Sequence, residues 1–310
     1  MRRISRRDFI RISSGAVAGA GLLTTLEPMV LDTLARAAEG KPPVIWLRGA
    51  GCNGCSMSLM NSVNPSIEKL LLDVISLKYH PTIMASAGHQ AFDYLEEIAS
   101  EHKGDYVLVI EGGVPAAEGG AYCKIGQKKG KEVTFLEAVK LLGSNAATVI
   151  AAGSCAAFGG IPGADPNPTG TVGVWEVLKK TPVINIGCCP VHPDDLLGTL
   201  VHVLNYGEIP DLDEYNRPKM FFPEIIHVGC PRCTYFSQGI FAQNPGDHGC
   251  LAFVGCKGMV ARARCNIRQW NNQTNWCIPA GTPCQACSEP GFPDDCGPLY
   301  GRYRIHEQVD

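Results

Sequence analysis

The 310-residue chain has no excess of basic charge, no internal repeat and no low-complexity tract. Past Leu26 it also has no apolar run that approaches the roughly 20 residues of a membrane-spanning helix. A net charge of -3 and a pI of about 6.2 leave no electrostatic footprint for nucleic acid. The last stretch, Tyr300 to Asp310, is short and polar. Together these absences predict a soluble protein that reaches a membrane only through a partner.

The N-terminus carries an address. Ser5-Arg6-Arg7-Asp8-Phe9-Ile10-Arg11 is a twin-arginine motif, followed by a small-residue apolar run from Ile12 to Leu26. Ser, Gly and Thr interrupt that run, which argues against a membrane anchor. Ala35-Arg36-Ala37 supplies an A-x-A cleavage site. Residues 1–37 therefore read as a removable twin-arginine signal that sends the chain to the periplasm already folded.

Fifteen cysteines in an exported chain ordinarily suggest disulfides. Here the count is odd, and pairs such as Cys52/Cys55 and Cys284/Cys287 suit a shared metal centre better. Export of a folded chain lets cofactors inserted in the reducing cytoplasm travel inside it. The combination favours iron–sulfur clusters.

Residues 38–205 alternate apolar strands with helical patterns. Strands are predicted at Val44–Leu47, Val74–Leu77, Tyr106–Ile110, Thr148–Ala152 and Val183–Ile186. Helical patterns run from Ser56, and over Pro65–Leu72, Ala91–His102, Thr134–Leu142, Val172–Lys179 and Asp194–Leu204. The fold class is therefore α/β, a parallel sheet covered on both faces. Residues 206–310 form a second, irregular domain, rich in Gly, Pro and Asn with little periodicity. Such a segment cannot hold itself together by packing alone, and it contains nine cysteines to staple it.

Ligands of an open parallel sheet collect beyond the carboxyl ends of its strands. Three predicted strands run directly into cysteine there, at Gly51-Cys52-Asn53-Gly54-Cys55, Gly153-Ser154-Cys155 and Gly187-Cys188-Cys189-Pro190. Cys52, Cys55, Cys155 and either Cys188 or Cys189 suffice for one [4Fe–4S] cluster. Glu111 ends a fourth strand on that edge. It is either a neighbour of the cluster or a solvated or helix-capping carboxylate. A lone C-x-x-C also serves zinc or thiol chemistry, but three cysteine-bearing strand ends make a much more specific signal.

These residues bear a family resemblance. Trp46-Leu47-Arg48-Gly49-Ala50-Gly51-Cys52-Asn53-Gly54-Cys55-Ser56, Gly153-Ser154-Cys155 and Cys189-Pro190-Val191-His192-Pro193 resemble the small subunit of [NiFe] hydrogenases. So do Gly255-Cys256-Lys257-Gly258, Asn272-Gln273-Thr274-Asn275-Trp276 and Cys284-Gln285-Ala286-Cys287-Ser288-Glu289-Pro290. The resemblance covers the whole mature chain and implies a flavodoxin-like domain followed by a cluster-binding domain. It makes Cys189 the fourth proximal ligand, with Cys188 the alternative where the family has glycine. It implies a distal [4Fe–4S] cluster on His227, Cys230, Cys250 and Cys256, with Cys233 one turn away as a substitute. The family's medial cluster uses three cysteines, matching Cys265, Cys284 and Cys287, and is then [3Fe–4S]. Here Asn275-Trp276 is followed by Cys277 instead of proline, as in the [NiFeSe] branch, so a medial [4Fe–4S] cluster is expected. His80-Pro81-Thr82-Ile83-Met84-Ala85-Ser86 is also similar to that branch. Oxygen-tolerant relatives place extra cysteines where this chain has Gly54 and Gly160, so an unmodified proximal cluster is expected.

By the same resemblance this chain has no catalytic residues of its own. Its partner is a large subunit that bears the nickel–iron site. Its acceptor is a multihaem cytochrome c or a membrane quinone-reducing module, in the direction of hydrogen uptake. The competing readings are an electron-transfer subunit of a non-hydrogenase respiratory complex and a disulfide-stapled binding protein. The nine cysteines after Asn205 weigh against the former. Cys123, Cys188, Cys233 and Cys296 have no assigned role and read as small buried hydrophobes. Lys124, Lys128, Lys129 and Lys131 read as a solvated loop. Trp46, Trp270 and Trp276 read as shields for clusters or as packing at the subunit interface.

Overall fold

A computed structural model describes residues 43–296. The twin-arginine motif, the Ala35–Ala37 cleavage site and the polar C-terminal stretch lie outside the described residues. Nine strands follow in chain order: β1 (Pro43–Arg48), β2 (Ser76–Tyr79), β3 (Val107–Glu111), β4 (Val114–Pro115), β5 (Lys124–Lys128), β6 (Lys131–Thr134), β7 (Thr148–Ala152), β8 (Thr171–Val172) and β9 (Val183–Ile186). Five of them form one parallel sheet in the order β2-β1-β3-β7-β9. This is the flavodoxin-like doubly wound order, with its switch point between β1 and β3.

The sheet needs apolar residues on both faces, and β-branched runs such as Thr148–Ala152 supply them. Val44, Trp46, Val107, Val109, Ile150 and Ile184 face one core. Ile45, Leu47, Leu108, Ile110, Val149 and Val183 face the other, under helices Gly88–Glu101 and Phe135–Gly143. The second of these helices begins on a capping box, in which Thr134 and Glu137 bond each other's backbone N–H. The first face is covered by helix Pro193–Tyr206 and by residues from the C-terminal part, including Phe221, Phe222, Trp276 and Ile278. The irregular segment thus shares its core with the sheet.

Register places the strand ends level. Arg48 pairs with Glu111, Glu111 with Ala152, and Ala152 with Ile186. The three cysteine loops leave from this one row.

Three local expectations need correction. The strand predicted over Val74–Leu77 begins at Ser76, because Leu70–Val74 completes a wide helical turn in which the Ile75 N–H bonds the Leu70 carbonyl. Val74 and Ile75 are apolar because they are buried, at 1% and 3% exposure, and not because they pair in the sheet. The helix predicted over Val172–Lys179 is only Val174–Val177, since Val172 belongs to β8. The basic stretch is not a loop. β5 and β6 pair antiparallel around a Lys129-Gly130 turn with positive φ at both residues. Lys128 bonds Glu96 at 2.6 Å and Lys124 pairs with Glu132.

Candidate metal centres

β1 delivers Cys52 and Cys55 to the switch point, where Asn53 at φ 69° turns the chain into helix Gly54–Met60. The first turn of this helix is satisfied by Glu111 from the next strand. Its Oε1 accepts the N–H of Cys55 at 2.9 Å and of Ser56 at 3.1 Å. Its Oε2 accepts the Trp46 indole N–H at 3.1 Å and the Ser56 hydroxyl. Glu111 is 2% exposed, so the solvated reading is excluded, while the neighbouring and helix-capping readings both hold. Behind Ser56 lies His80, whose Nδ1 accepts the Thr82 N–H at 3.1 Å, leaving Nε2 to donate to Ser56 Oγ at 3.2 Å. Burial is the chief cause that pushes the His80 pKa down to about 4, against the pull of Glu111.

The Cys155 loop closes on the first pair. A Cβ at Gly153, which has φ +86°, would stand 2.4 Å from Cys55 Sγ, so only glycine lets this backbone approach the thiol. Cys55, Cys155 and Cys189 lie within electrostatic reach of one another, and Cys52 within reach of Cys155 and Cys189. Burial raises the thiol pKa of Cys55 and Cys155, and pushes Cys189 up to about 12. Cys52 and Cys189 are exposed, so this set opens at the chain's surface.

Cys188 points elsewhere. It is 1% exposed and lies within hydrogen-bonding reach of Cys265 and Cys287. Cys277 and Cys284 each lie within electrostatic reach of Cys265 and Cys287, which marks a second set. Burial raises Cys284 well above the ordinary thiol range and Cys277 to about 11. Cys287 is lowered to about 7, chiefly because Cys188 donates to it. Cys188 is buried in the apolar core, as the sequence suggests for a small hydrophobe, and its thiol also has cysteine neighbours.

The third set lines a cavity of about 280 Å³, open mouth included, walled by Ile226, His227, Cys230, Arg232, Cys250, Leu251, Cys256, Gly258 and Ile278. Burial raises Cys230 and Cys250. Cys233 is not among the lining residues, although its Sγ stands 3.6 Å from His227 Nε2.

The three sets lie in series. Cys189 feels Cys287, and the Ser154 hydroxyl beside Cys155 donates to the Cys287 carbonyl. Cys284 and Cys277 feel Cys256, and the Lys257 N–H bonds the Cys284 carbonyl at 2.8 Å. Sequence reasoning does not single out Ser154, although its place between Gly153 and Cys155 marks a strand-end turn.

All fifteen cysteines are free. Burying so many thiols raises their pKa and disfavours thiolate, unless a cation binds the sulfurs and deprotonates them outright. Among the described residues, no three of His, Cys, Asp and Glu converge closely enough for a single metal ion. Thiol sets spread around a common space suit a multi-iron centre.

Comparison with known proteins agrees. The family described as "NADH ubiquinone oxidoreductase, 20 Kd subunit" matches residues 52–203, and the C-terminal family of the "NiFe/NiFeSe hydrogenase small subunit" matches residues 222–300. The periplasmic [NiFeSe] hydrogenase small subunit of Desulfomicrobium baculatum is 41% identical over 96% of this chain and 98% of its own length. The chain belongs to the NiFe/NiFeSe hydrogenase small-subunit family. The second match excludes the non-hydrogenase respiratory reading, because the first family covers only the sheet half. The quinone-reactive Ni/Fe-hydrogenase small chain of Wolinella succinogenes is 40% identical over 96% of this chain and 83% of its own. The reduced, active form of the D. baculatum Ni-Fe-Se hydrogenase superposes with a TM-score of 0.82 at 42% identity, covering 85% of this chain and all of that one (100%). Like its relatives, this hydrogenase small subunit is an iron–sulfur, electron-transferring chain that pairs with a large subunit bearing the hydrogen-activating site.

Proposed function

We propose that this small subunit passes electrons through three clusters in line. Cys52, Cys55, Cys155 and Cys189 hold a proximal [4Fe–4S] centre. Cys265, Cys277, Cys284 and Cys287 hold a medial [4Fe–4S] centre, and His227, Cys230, Cys250 and Cys256 a distal [4Fe–4S] centre. The observation that carries this reading is a continuous row of neighbouring thiols, Cys189 beside Cys155 and Cys287, and Cys284 beside Cys287 and Cys256. When bound, the clusters supply reversible one-electron storage. The protein shields that charge with buried walls, Trp276 at 5% exposure among them.

The exposed Cys52 and Cys189 open the proximal set toward the large subunit. At the far end His227 replaces one thiolate and makes the centre less negative, which suits an exit point. Val228, 62% exposed, lies beside it on the face we assign to the acceptor. That acceptor is a multihaem cytochrome c or a membrane quinone-reducing module. The quinone-reactive name of the W. succinogenes relative favours the latter. We place the working protein in the periplasm after twin-arginine export, oxidising hydrogen. Among the described residues no helix is long and apolar enough to cross a membrane.

The test is acid-labile sulfide and electron paramagnetic resonance on the anaerobically purified, gently oxidised heterodimer. About twelve sulfides and no cluster signal are expected for three oxidised cubanes. About four sulfides would reduce the chain to a single-cluster electron carrier. A strong, narrow [3Fe–4S]⁺ signal would remove Cys277 from the ligand set.

A further inference from the structure

Cys188 and Cys189 are adjacent, yet their thiols serve different sets. Cys189 neighbours Cys155, Cys287 and Cys52, whereas Cys188 neighbours Cys265 and Cys287 and neither Cys155 nor Cys52 is among its partners. The backbone enforces this split. Cys188 sits at φ 95°, its N–H donates to Ser154 Oγ at 2.9 Å, and its carbonyl accepts the Ser154 N–H at 3.0 Å. The same Ser154 hydroxyl donates to the Cys287 carbonyl. One residue earlier, a Cβ on Gly187 would stand 2.6 Å from the Ser288 carbonyl oxygen, so the end of β9 is pressed against the chain at Cys287-Ser288. Within this contact Cys188 is buried in the same apolar cluster as Cys265, Cys284 and Ala286.

We propose that Cys188 is an outer thiol of the medial centre, whose S–H donates to the ligand sulfur of Cys287, beside Cys265, and raises that centre's reduction potential. The proposal rests on the reading that Cys265, Cys277, Cys284 and Cys287 are the medial ligands. With Cys277 that set already offers one ligand to each iron of a cubane, so no corner is left for Cys188. Ligand sulfurs on different corners stand apart across the cluster, whereas Ser154, which accepts the Cys188 N–H and donates to the Cys287 carbonyl, brings Cys188 and Cys287 side by side. A hydrogen bond to a ligand sulfur withdraws negative charge and stabilises the reduced, more negative cluster. A fourth thiolate at Cys277 acts the other way, so the thiol of Cys188 offsets part of its effect.

The experiment is a potentiometric titration followed by electron paramagnetic resonance on the purified heterodimer, comparing wild type with Cys188→Gly and Cys188→Ser. Glycine is unstrained at this φ, so the first variant removes the thiol and relaxes the backbone. We expect unchanged labile sulfide and a medial midpoint shifted to lower potential in Cys188→Gly, with proximal and distal midpoints unmoved. Cys188→Ser, whose hydroxyl still donates, should fall between that variant and wild type. A medial midpoint that stays in place in Cys188→Gly would overturn the proposal and leave the thiol as filler. A [3Fe–4S] signal gained on removing it would overturn the proposal by making Cys188 a ligand. Sulfide for fewer than three clusters in the wild type would instead sink the underlying ligand reading, before any variant is compared.

Discussion

The indole N–H of Trp46 and the carboxylate of Glu111 meet at 3.1 Å beneath the Cys52–Cys55 loop, in a pocket where both residues are almost fully buried. Glu111 collects two backbone N–H groups, this indole and the Ser56 hydroxyl, all donors. A buried carboxylate with this many donors fixes the helix that presents Cys55.

Glu111→Gln is therefore expected to do two things. It replaces one acceptor by an NH₂ that faces donors, which costs about 1.5–3 kcal/mol and lowers the apparent melting temperature of the heterodimer. It also removes a negative charge that Cys55 feels, so the proximal midpoint rises while the distal one stays. A redox titration in which both midpoints are unmoved would mean the carboxylate acts only as a cap.

The next link in this chain sets a pH dependence. His80 has its pKa lowered from 6.5 to about 4, chiefly by burial, so it is neutral in the folded protein at pH 7. Between those values the unfolded chain binds the proton and the folded chain does not, so stability falls as pH drops from about 6.5 toward 4. The loss at this site is at most about 3 kcal/mol. Thermal inactivation of the wild type should therefore quicken between pH 7 and pH 5. His80→Gln, which carries no titrating ring, should show a shallower dependence. Equal slopes would place the acid sensitivity elsewhere.

Much of this is legible in the sequence, and for physical reasons. The strand-end cysteines Cys52, Cys155 and Cys189 can be placed together because a doubly wound sheet brings its carboxyl ends to one edge, as the level pairing of Arg48, Glu111, Ala152 and Ile186 shows. The direction of Cys188 cannot, because it depends on a positive φ and on Ser154 bonding a carbonyl 133 residues away. The Lys124–Thr134 hairpin escapes sequence reasoning because lysine and glutamine are weak strand formers and Lys129-Gly130 is a less familiar turn pair. The buried Arg217 carries no signal at all, as a lone arginine in an irregular stretch reads as surface.

That arginine is 0% exposed and ties the medial loop to the rest of the chain. Its Nε bonds Asp213 at 2.8 Å, and its Nη1 bonds Glu289 at 3.0 Å and the Ser288 carbonyl at 3.2 Å. The rings of Tyr215 and Phe222 lie 5.1 Å away. Arg217→Met leaves two carboxylates in a largely dry site without their cation, a loss of about 3–5 kcal/mol. Purified variant heterodimer should lose labile sulfide faster than wild type on warming. Adding Glu289→Gln should recover part of the loss, since one stranded charge is removed. A double variant no better than the single one would show that the stacking of Arg217, and not its charge, holds the loop.

Cys277 is the exposed member of the four cysteines we propose for the medial centre, next to the buried Trp276 and within reach of Cys287 and Cys265. The Thr282 N–H bonds its carbonyl at 3.0 Å, so the backbone here is held by contacts that do not involve the thiol. Cys277→Ala should therefore fold and keep the other three medial thiols in place. With the fourth ligand gone one iron becomes labile, and the oxidised variant should gain a narrow [3Fe–4S]⁺ resonance of about one spin per chain at unchanged sulfide. Its medial midpoint should rise, because one thiolate charge has left the centre. Cys277→Ser, which offers an oxygen ligand, should show less of the narrow signal than Cys277→Ala. If Cys277→Ala keeps a silent spectrum and its full iron content, the fourth medial ligand lies elsewhere, and Cys188 becomes the residue to substitute next.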